Sequence, residues 1–280
     1  MAVLILGGGL AGSEAAWQAA ERGVRVRLVE MRPGRMTPAH HTGGLAELVC
    51  SNSFKSEALT AAHGLLKQEL RELGGLLVRI AGEVRVPAGS ALAVDRAAFS
   101  AGVEAALAAH PRIAIEREEA VAVAADRPVL VATGPLTSDA LAGALAAVIG
   151  EASLTFFDAI APIVDADTID CSKVFPGSRY GHGEDYLNCP LTEPEYRAFR
   201  EALVAAELAE VKDFDRRRLF EACLPVEELG ARGERTLAFG PLKPVGLVDP
   251  RTGRRPFAVV QLRAENRSLT MYGLVGFRPG

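Results

Sequence analysis

Val3-Leu4-Ile5-Leu6-Gly7-Gly8-Gly9-Leu10-Ala11-Gly12, close to the start of a 280-residue chain, is the stretch that decides the fold. Residues 3–6 form a continuous apolar run, the pattern of a strand buried on both faces. Residues 13–21 are rich in helix formers and stop at Gly23. Residues 24–29 read as a second strand, which closes on Glu30. An isolated glycine turn before a helix would say little. Strand, glycine turn, helix, strand and acid together make a dinucleotide-binding fingerprint in its required context. Gly7 permits the tight turn, Gly9 lets backbone approach a pyrophosphate, and Gly12 lets helix pack on strand. The helix start at Leu10 and Ala11 offers N–H groups and partial positive charge to phosphates. Glu30, eighteen residues after Gly12, is placed to accept hydrogen bonds from a ribose. That acid favours FAD or NAD over NADP, and the motif does not choose between the first two.

The predicted fold class is therefore α/β, with a Rossmann-like domain over 1–150 and a second α/β domain over 151–280. Nearly half the residues are apolar, enough for a full core. No apolar run approaches the ~20 residues of a membrane span, so a soluble, cytoplasmic protein is expected. Cys50, Cys171, Cys189 and Cys223 are widely spaced, which argues against a disulfide framework or a zinc site. Their neighbours predict small buried hydrophobes at Cys171 and Cys189 and leave the reactivity of Cys50 and Cys223 open. No metal-binding motif is present. The formal charge of −4 argues against indiscriminate nucleic-acid binding.

Outward from the fingerprint, residues 31–44 are rich in proline, glycine and polar residues and form a long loop, of the kind that usually serves function. A helix is predicted over 57–73, with Leu59, Ala62, Leu66 and Leu70 on one face. Residues 84–94 read as short extended pieces, and Asp95 caps a helix whose inner face carries Phe99, Val103, Ala106 and Leu107. Residues 113–115 and 120–124 read as strands. Residues 129–134 read as a buried strand that returns beside the first and ends in the turn Thr133-Gly134. Thr137 or Ser138 caps a helix ending near Gly150, and Thr192-Glu193-Pro194-Glu195 is a capping box opening a helix to about Val211. From residue 232 onward nine basic residues face three acids. This suggests either a face for a polyanion or a solvated surface.

Several runs taken together resemble the folate- and flavin-dependent tRNA (uracil-5-)-methyltransferases. They include GGGLAGSEAAW at 7–17, EMRP at 30–33, TPAHHT at 37–42, AELVCSNS at 46–53 and VPAGSALAVDR at 86–96. ATGPLTS at 132–138, SRYGHGEDYLNCP at 178–190, CLPVEE at 223–228, FGPLKPVGLVDP at 239–250 and VVQLRAEN at 259–266 continue the match. The resemblance implies a glutathione-reductase-type FAD domain carrying an inserted second domain. It implies FAD held by Gly7, Gly8, Gly9, Leu10, Ala11, Gly12, Glu30, Arg32, His41, Thr133 and Gly134. NADPH or NADH is the implied reductant, methylenetetrahydrofolate the carbon donor, and a T-loop uridine of tRNA the substrate. Cys223 matches the family's nucleophile and Cys50 its second functional cysteine. Lys243, Arg235 and Arg263 fall to substrate binding. Family members continue past the equivalent of Phe277, so the resemblance also places a further flavin contact and much of the folate and RNA surface beyond this sequence. A repurposed flavin- or RNA-binding relative and a general FAD or NAD oxidoreductase are the rival readings. Monomer and homodimer are both compatible with the sequence.

Overall fold

The computed structural model describes residues 2–124, 126–150, 161–181, 183–207 and 224–277. In chain order the elements are β1 (Ala2–Leu6), α1 (Leu10–Glu21), β2 (Arg25–Val29), β3 (Ser53–Ser56), α2 (Ala62–Glu72), α3 (Leu76–Glu83), β4 (Arg85–Val86) and β5 (Ala91–Val94). Then come α4 (Arg96–Ala109), β6 (Ile113–Glu116), β7 (Val129–Val131), α5 (Asp139–Ile149), β8 (Ile163–Asp165), β9 (Phe175–Pro176) and β10 (Tyr186–Leu191). The last are α6 (Glu193–Ala205), α7 (Val226–Ala231), α8 (Thr236–Phe239), β11 (Ala258–Ala264) and β12 (Met271–Leu274). They form two units. One comprises 1–49, 57–84 and 94–156, and the other 50–56, 85–93 and 157–280. Two short segments, 50–56 and 85–93, supply β3, β4 and most of β5 to the second unit.

The first unit is built on a parallel sheet of order β6-β2-β1-β7. Residues 2–6 pair with 25–29 on one side, and 4–6 with 129–131 on the other. Ile5, Leu6 and Leu28 are almost fully buried, as the apolar runs require. Gly23 at φ 84° ends α1 by donating to the Ala20 carbonyl. Asp95 accepts from the Ala98 N–H at 3.0 Å and opens α4, whose Phe99, Val103 and Leu107 are buried. Ser138, rather than Thr137, caps α5.

Four local expectations are corrected. Residues 120–124 form no strand: Ala120, Val123 and Ala124 pack instead against Leu4, Leu6, Val29 and Leu141. The helix over 57–73 begins only at Ala62, because Gly64 lies so close to the Ala58 carbonyl that the preceding residues turn back. Leu59 and Leu66 are exposed, and the helix buries Gly64 and Lys67. The strand at 129–131 does return beside β1, but as an edge strand on which Leu130 and Val131 remain exposed.

The second unit has a five-stranded sheet of order β8-β12-β11-β10-β9 and a three-stranded sheet of order β3-β5-β4. Asn188 on β10 faces Gln261 on β11 and is fully buried. Its amide donates to the Gly177 carbonyl at 2.8 Å and accepts from the Gln261 amide at 2.9 Å, so burial leaves it satisfied. A core of Tyr196, Val226, Leu237, Leu242, Ala258 and Phe277 lies under α6–α8. The capping box at Thr192 and Glu195 is complete. The helix that it opens ends at Ala205, where Ala206 is already extended, short of the expected Val211; residues 208–211 lie outside the described residues.

Tyr196 ties this core together. It is 1% exposed, and its hydroxyl donates to the Glu234 carbonyl at 2.8 Å while accepting from the Ala238 N–H. Replacing Tyr196 with Phe keeps the ring and strands those two backbone groups. It is expected to cost about 1–3 kcal/mol in chemical unfolding, and a loss near zero would contradict the assignment.

Candidate functional site

The carboxyl ends of β1, β2 and β7 open on a cavity of about 280 Å³ in the first unit. Gly7, Gly9, Leu10 and Ala11 form one wall, Glu30 and Arg32 another, and Thr133 and Gly134 a third. The glycines of the turn have different reasons to lack a side chain. Gly7 adopts φ 97°, and a Cβ there would meet the Ala132 carbonyl oxygen at 2.6 Å. A Cβ on Gly8 would strike the Leu45 side chain, and one on Gly12 would overlap the Gly7 carbonyl oxygen. Around Gly9 a Cβ would meet nothing within 4 Å. Gly9 is therefore the place where backbone borders open space in the cavity. Gly9 also caps α1, with no side-chain cap and no acid in the first turn. The first N–H groups of the helix and its positive end are left for an anion.

Glu30 is 5% exposed. One carboxylate oxygen accepts from the Gly8 N–H at 2.7 Å, and the other accepts from the Arg32 N–H at 3.0 Å and its Nε at 2.9 Å. Burial alone would raise the Glu30 carboxyl. The Arg32 side-chain and backbone bonds, the Arg32 charge and the Gly8 N–H outweigh it and hold Glu30 below the usual carboxylate range. A carboxylate has about four acceptor positions, so three bonds leave capacity for a hydroxyl in the cavity. Arg32, 2% exposed, continues to Glu47 at 3.0 Å. Glu47 accepts from the backbone N–H groups of His41 and Thr42 and from the Thr42 hydroxyl. The long loop after β2 is thereby fixed by buried charge, and Ala46 closes it onto the turn by donating to the Gly8 carbonyl at 2.8 Å.

The structure puts His40, not His41, on the cavity wall. His40 shares a 2.6 Å hydrogen bond with the Thr37 hydroxyl. Burial, and then the Arg32 charge, push its imidazole below the ordinary value, so it sits neutral at pH 7. His41 is exposed. Adjacency in sequence gave no means of choosing between them. Glu47 and Thr37 also escaped the sequence reading, although the acid in AELVCSNS is a signal that could have been used.

In the second unit Lys243 and Arg235 share a cavity of about 450 Å³ with Arg255, Phe239 and Phe257. Arg263 is placed elsewhere: it donates to Asn52 at 2.7 Å and Ser51 at 2.9 Å, and its side chain is 12% exposed. Its geometry is that of an internal clamp. Cys50 is exposed. Cys171, expected to be buried, is exposed in a turn whose Asp170 binds Ser172 and Lys173. Cys189 is half-buried, and burial pushes its thiol up. Cys223 lies outside the described residues. Among the described residues no group of three or more His, Cys, Asp or Glu could hold a metal, and no helix is long and apolar enough to cross a membrane.

A parallel sheet with a glycine turn, an open helix start and a braced acid defines an α/β protein with the architecture that dinucleotide-binding folds share. The profile of one family, glucose inhibited division protein A, matches residues 2–279, and the chain belongs to that family. Its curated relatives include methylenetetrahydrofolate–tRNA-(uracil-5-)-methyltransferase TrmFO of Moorella thermoacetica, 58% identical over 277 residues, 99% of this chain and 63% of that protein. The TrmFO of Geobacter sulfurreducens is 59% identical over 279 residues, 99% of this chain and 64% of that protein. The resemblance read from the motifs is upheld, over a chain spanning a little under two thirds of the length of these relatives. The solved structure of Aquifex aeolicus GidA in its form II crystal matches 99% of this chain and 49% of its own, with a TM-score of 0.59 at 15% identity, a likeness of fold.

Two experiments test this site. Gly12→Ala should lose about 1–3 kcal/mol to overpacking, read as a Tm several degrees lower, whereas Gly9→Ala should unfold close to the parent. Equal losses in both would contradict the turn geometry. The Glu30 contribution is complete above its ordinary value of 4.5 and is lost as pH falls through its lower folded value. Glu30→Gln should therefore be less stable at pH 7 and flatter in stability than the parent on acidification below pH 4.5. Parallel pH curves would contradict it.

Proposed function

We propose that this chain acts in methylation of carbon 5 of a T-loop uridine in tRNA, with methylenetetrahydrofolate as carbon donor, FAD as carrier and reductant, and NADPH or NADH as electron source. The observation carrying this reading is the identity of 58% with the Moorella protein across nearly the whole chain. A tRNA substrate would place the protein in the cytoplasm, and the fold reading is a glutathione-reductase-type FAD domain with an inserted second unit.

The residues of the first cavity fit FAD. Gly9 and the start of α1 would take the pyrophosphate, Glu30 a ribose hydroxyl, and Thr133-Gly134 the facing side; Arg32 would hold Glu30 in place. When bound, the reduced flavin supplies hydride and carries the one-carbon unit. Uracil carbon 5 is a weak nucleophile until a thiolate adds at carbon 6. In this reading the Cys223 sulfur bonds to carbon 6, and the ring electrons move to an enolate that makes carbon 5 nucleophilic. Carbon 5 would then bond to the donated one-carbon unit, whose bond to its carrier would break as a base takes the carbon 5 proton; hydride reaching that exocyclic carbon would complete the methyl group and expel the Cys223 thiolate from carbon 6. Cys50 aids the proton or flavin steps. Lys243 and Arg235 bind substrate anions, and Arg263 supports Ser51 and Asn52 beside Cys50 in sequence.

The test is incubation of the purified chain with NADPH, methylenetetrahydrofolate and unmodified tRNA, followed by nucleoside analysis. 5-Methyluridine is expected, falling to background with Cys223→Ala. Full activity in that variant would remove Cys223 as nucleophile, and NADPH oxidation without modified tRNA would favour a general oxidoreductase.

A further inference from the structure

We infer that the second unit binds single-stranded RNA around Phe239, which stacks one unpaired base while Lys243, Arg235 and Arg255 hold the flanking phosphates. The inference rests on the RNA reading above and goes beyond it by assigning the stacking residue and the track of the strand.

Phe239 is 77% exposed although it ends α8, whose Leu237 and Ala238 are buried in the core. The turn that carries it is closed by the Phe239 N–H on the Arg235 carbonyl at 3.1 Å and the Gly240 N–H on the Thr236 carbonyl at 2.9 Å. An anchored backbone thus holds a bare ring in water, where a stacked base would recover the cost of its hydration.

The cations around it are held without being neutralised. The Arg235 guanidinium lies 5.7 Å from the Phe257 ring centre, and the Lys243 ammonium 5.5 Å from that of Tyr180. Glu193 is 4.0 Å from Arg235 but is engaged with Arg197 at 2.8 Å. Among the described residues Lys243 and Arg255 have no carboxylate ion pair. Tyr180 adopts the left-handed region at φ 65° and ψ 17° and is 59% exposed. Such backbone is strained for a residue with a side chain and concentrates at functional sites. Gly246 leaves room for it, since a Cβ there would stand 2.7 Å from the Tyr180 nitrogen.

The surface then continues. Arg255, Pro256 and Phe257 also wall a second cavity of about 820 Å³, bordered by Arg254, Arg251 and Lys173. Arg251 is paired with Asp249 and Lys173 with Asp170, so Arg254 and Arg255 supply the uncompensated charge. Glu195 on that wall is occupied in capping Thr192. A folate, one ring system with its carboxylates, would engage only the 450 Å³ cavity beside Phe239 and leave the 820 Å³ cavity unused. A cationic track longer than one small molecule, carrying exposed rings, suits an RNA strand.

The experiment is fluorescence anisotropy of the chain with a labelled, unstructured seven-nucleotide RNA at several salt concentrations. Phe239→Ala should weaken binding about tenfold with the salt slope unchanged, and Phe239→Tyr should restore it. Lys243→Ala or Arg255→Ala should each reduce the salt slope by about 0.7. No RNA binding by the parent, or parental binding by Phe239→Ala, overturns the inference. So does displacement of the RNA by tetrahydrofolate whose own binding is lost in Phe239→Ala, which would assign the cavity to folate. The methylation assay keeps the two readings apart. Methylation with an unchanged KM for tRNA in Phe239→Ala rejects the RNA site alone. RNA binding that depends on Phe239 in a chain that does not methylate rejects the proposed activity alone.

Discussion

Buried charge at Glu30 is the constraint on which the first unit depends. A carboxylate taken out of water must be fully partnered or it destabilises the fold. Glu30 meets that demand with the Gly8 N–H on one side and Arg32 on the other. The same bonds fix the glycine turn relative to the end of β2. Arg32 then requires Glu47, and Glu47 gathers the backbone of residues 41 and 42. Arg117 reinforces the arrangement by donating to the carbonyls of Arg32 and Gly43. A loop that composition alone would leave loose is thereby held as a wall of the cavity.

The second unit solves a different problem. Its sheet buries amides as well as charge: Asn188 and Gln261 find partners across or beside the strand, next to a buried Glu265 that lies 3.9 Å from Arg263. Its cations are sorted by depth. Arg263 is taken inward to clamp Asn52 and Ser51, while Arg235, Lys243 and Arg255 stay at the surface beside aromatic rings. The excess of basic residues near the end of the sequence is therefore two populations, one structural and one available to an anion.

Local signals in the sequence translated well where one short-range mechanism dominated. The apolar run before Gly7, the stop at Gly23, the caps at Asp95 and Ser138 and the capping box at Thr192 all appear where backbone chemistry demands them. Signals that depended on tertiary competition failed. The apolar run at 120–124 is taken up by packing against Leu4, Leu6, Val29 and Leu141, and the leucine spacing before Ala62 met a close approach at Gly64. His40 and His41 differ only in how the loop lies, which the Glu47 bonds decide. Charge patterning likewise located the basic segment without distinguishing Arg263 from Arg235.

The most direct test of the account is the visible absorbance spectrum of the purified, folded chain as FAD is added. The braced glycine turn, open at Gly9, predicts a flavin band shifted from that of free FAD, with stoichiometric retention after gel filtration. A folded chain that leaves the FAD spectrum unchanged and loses the flavin on the column would contradict the assignment of this cavity.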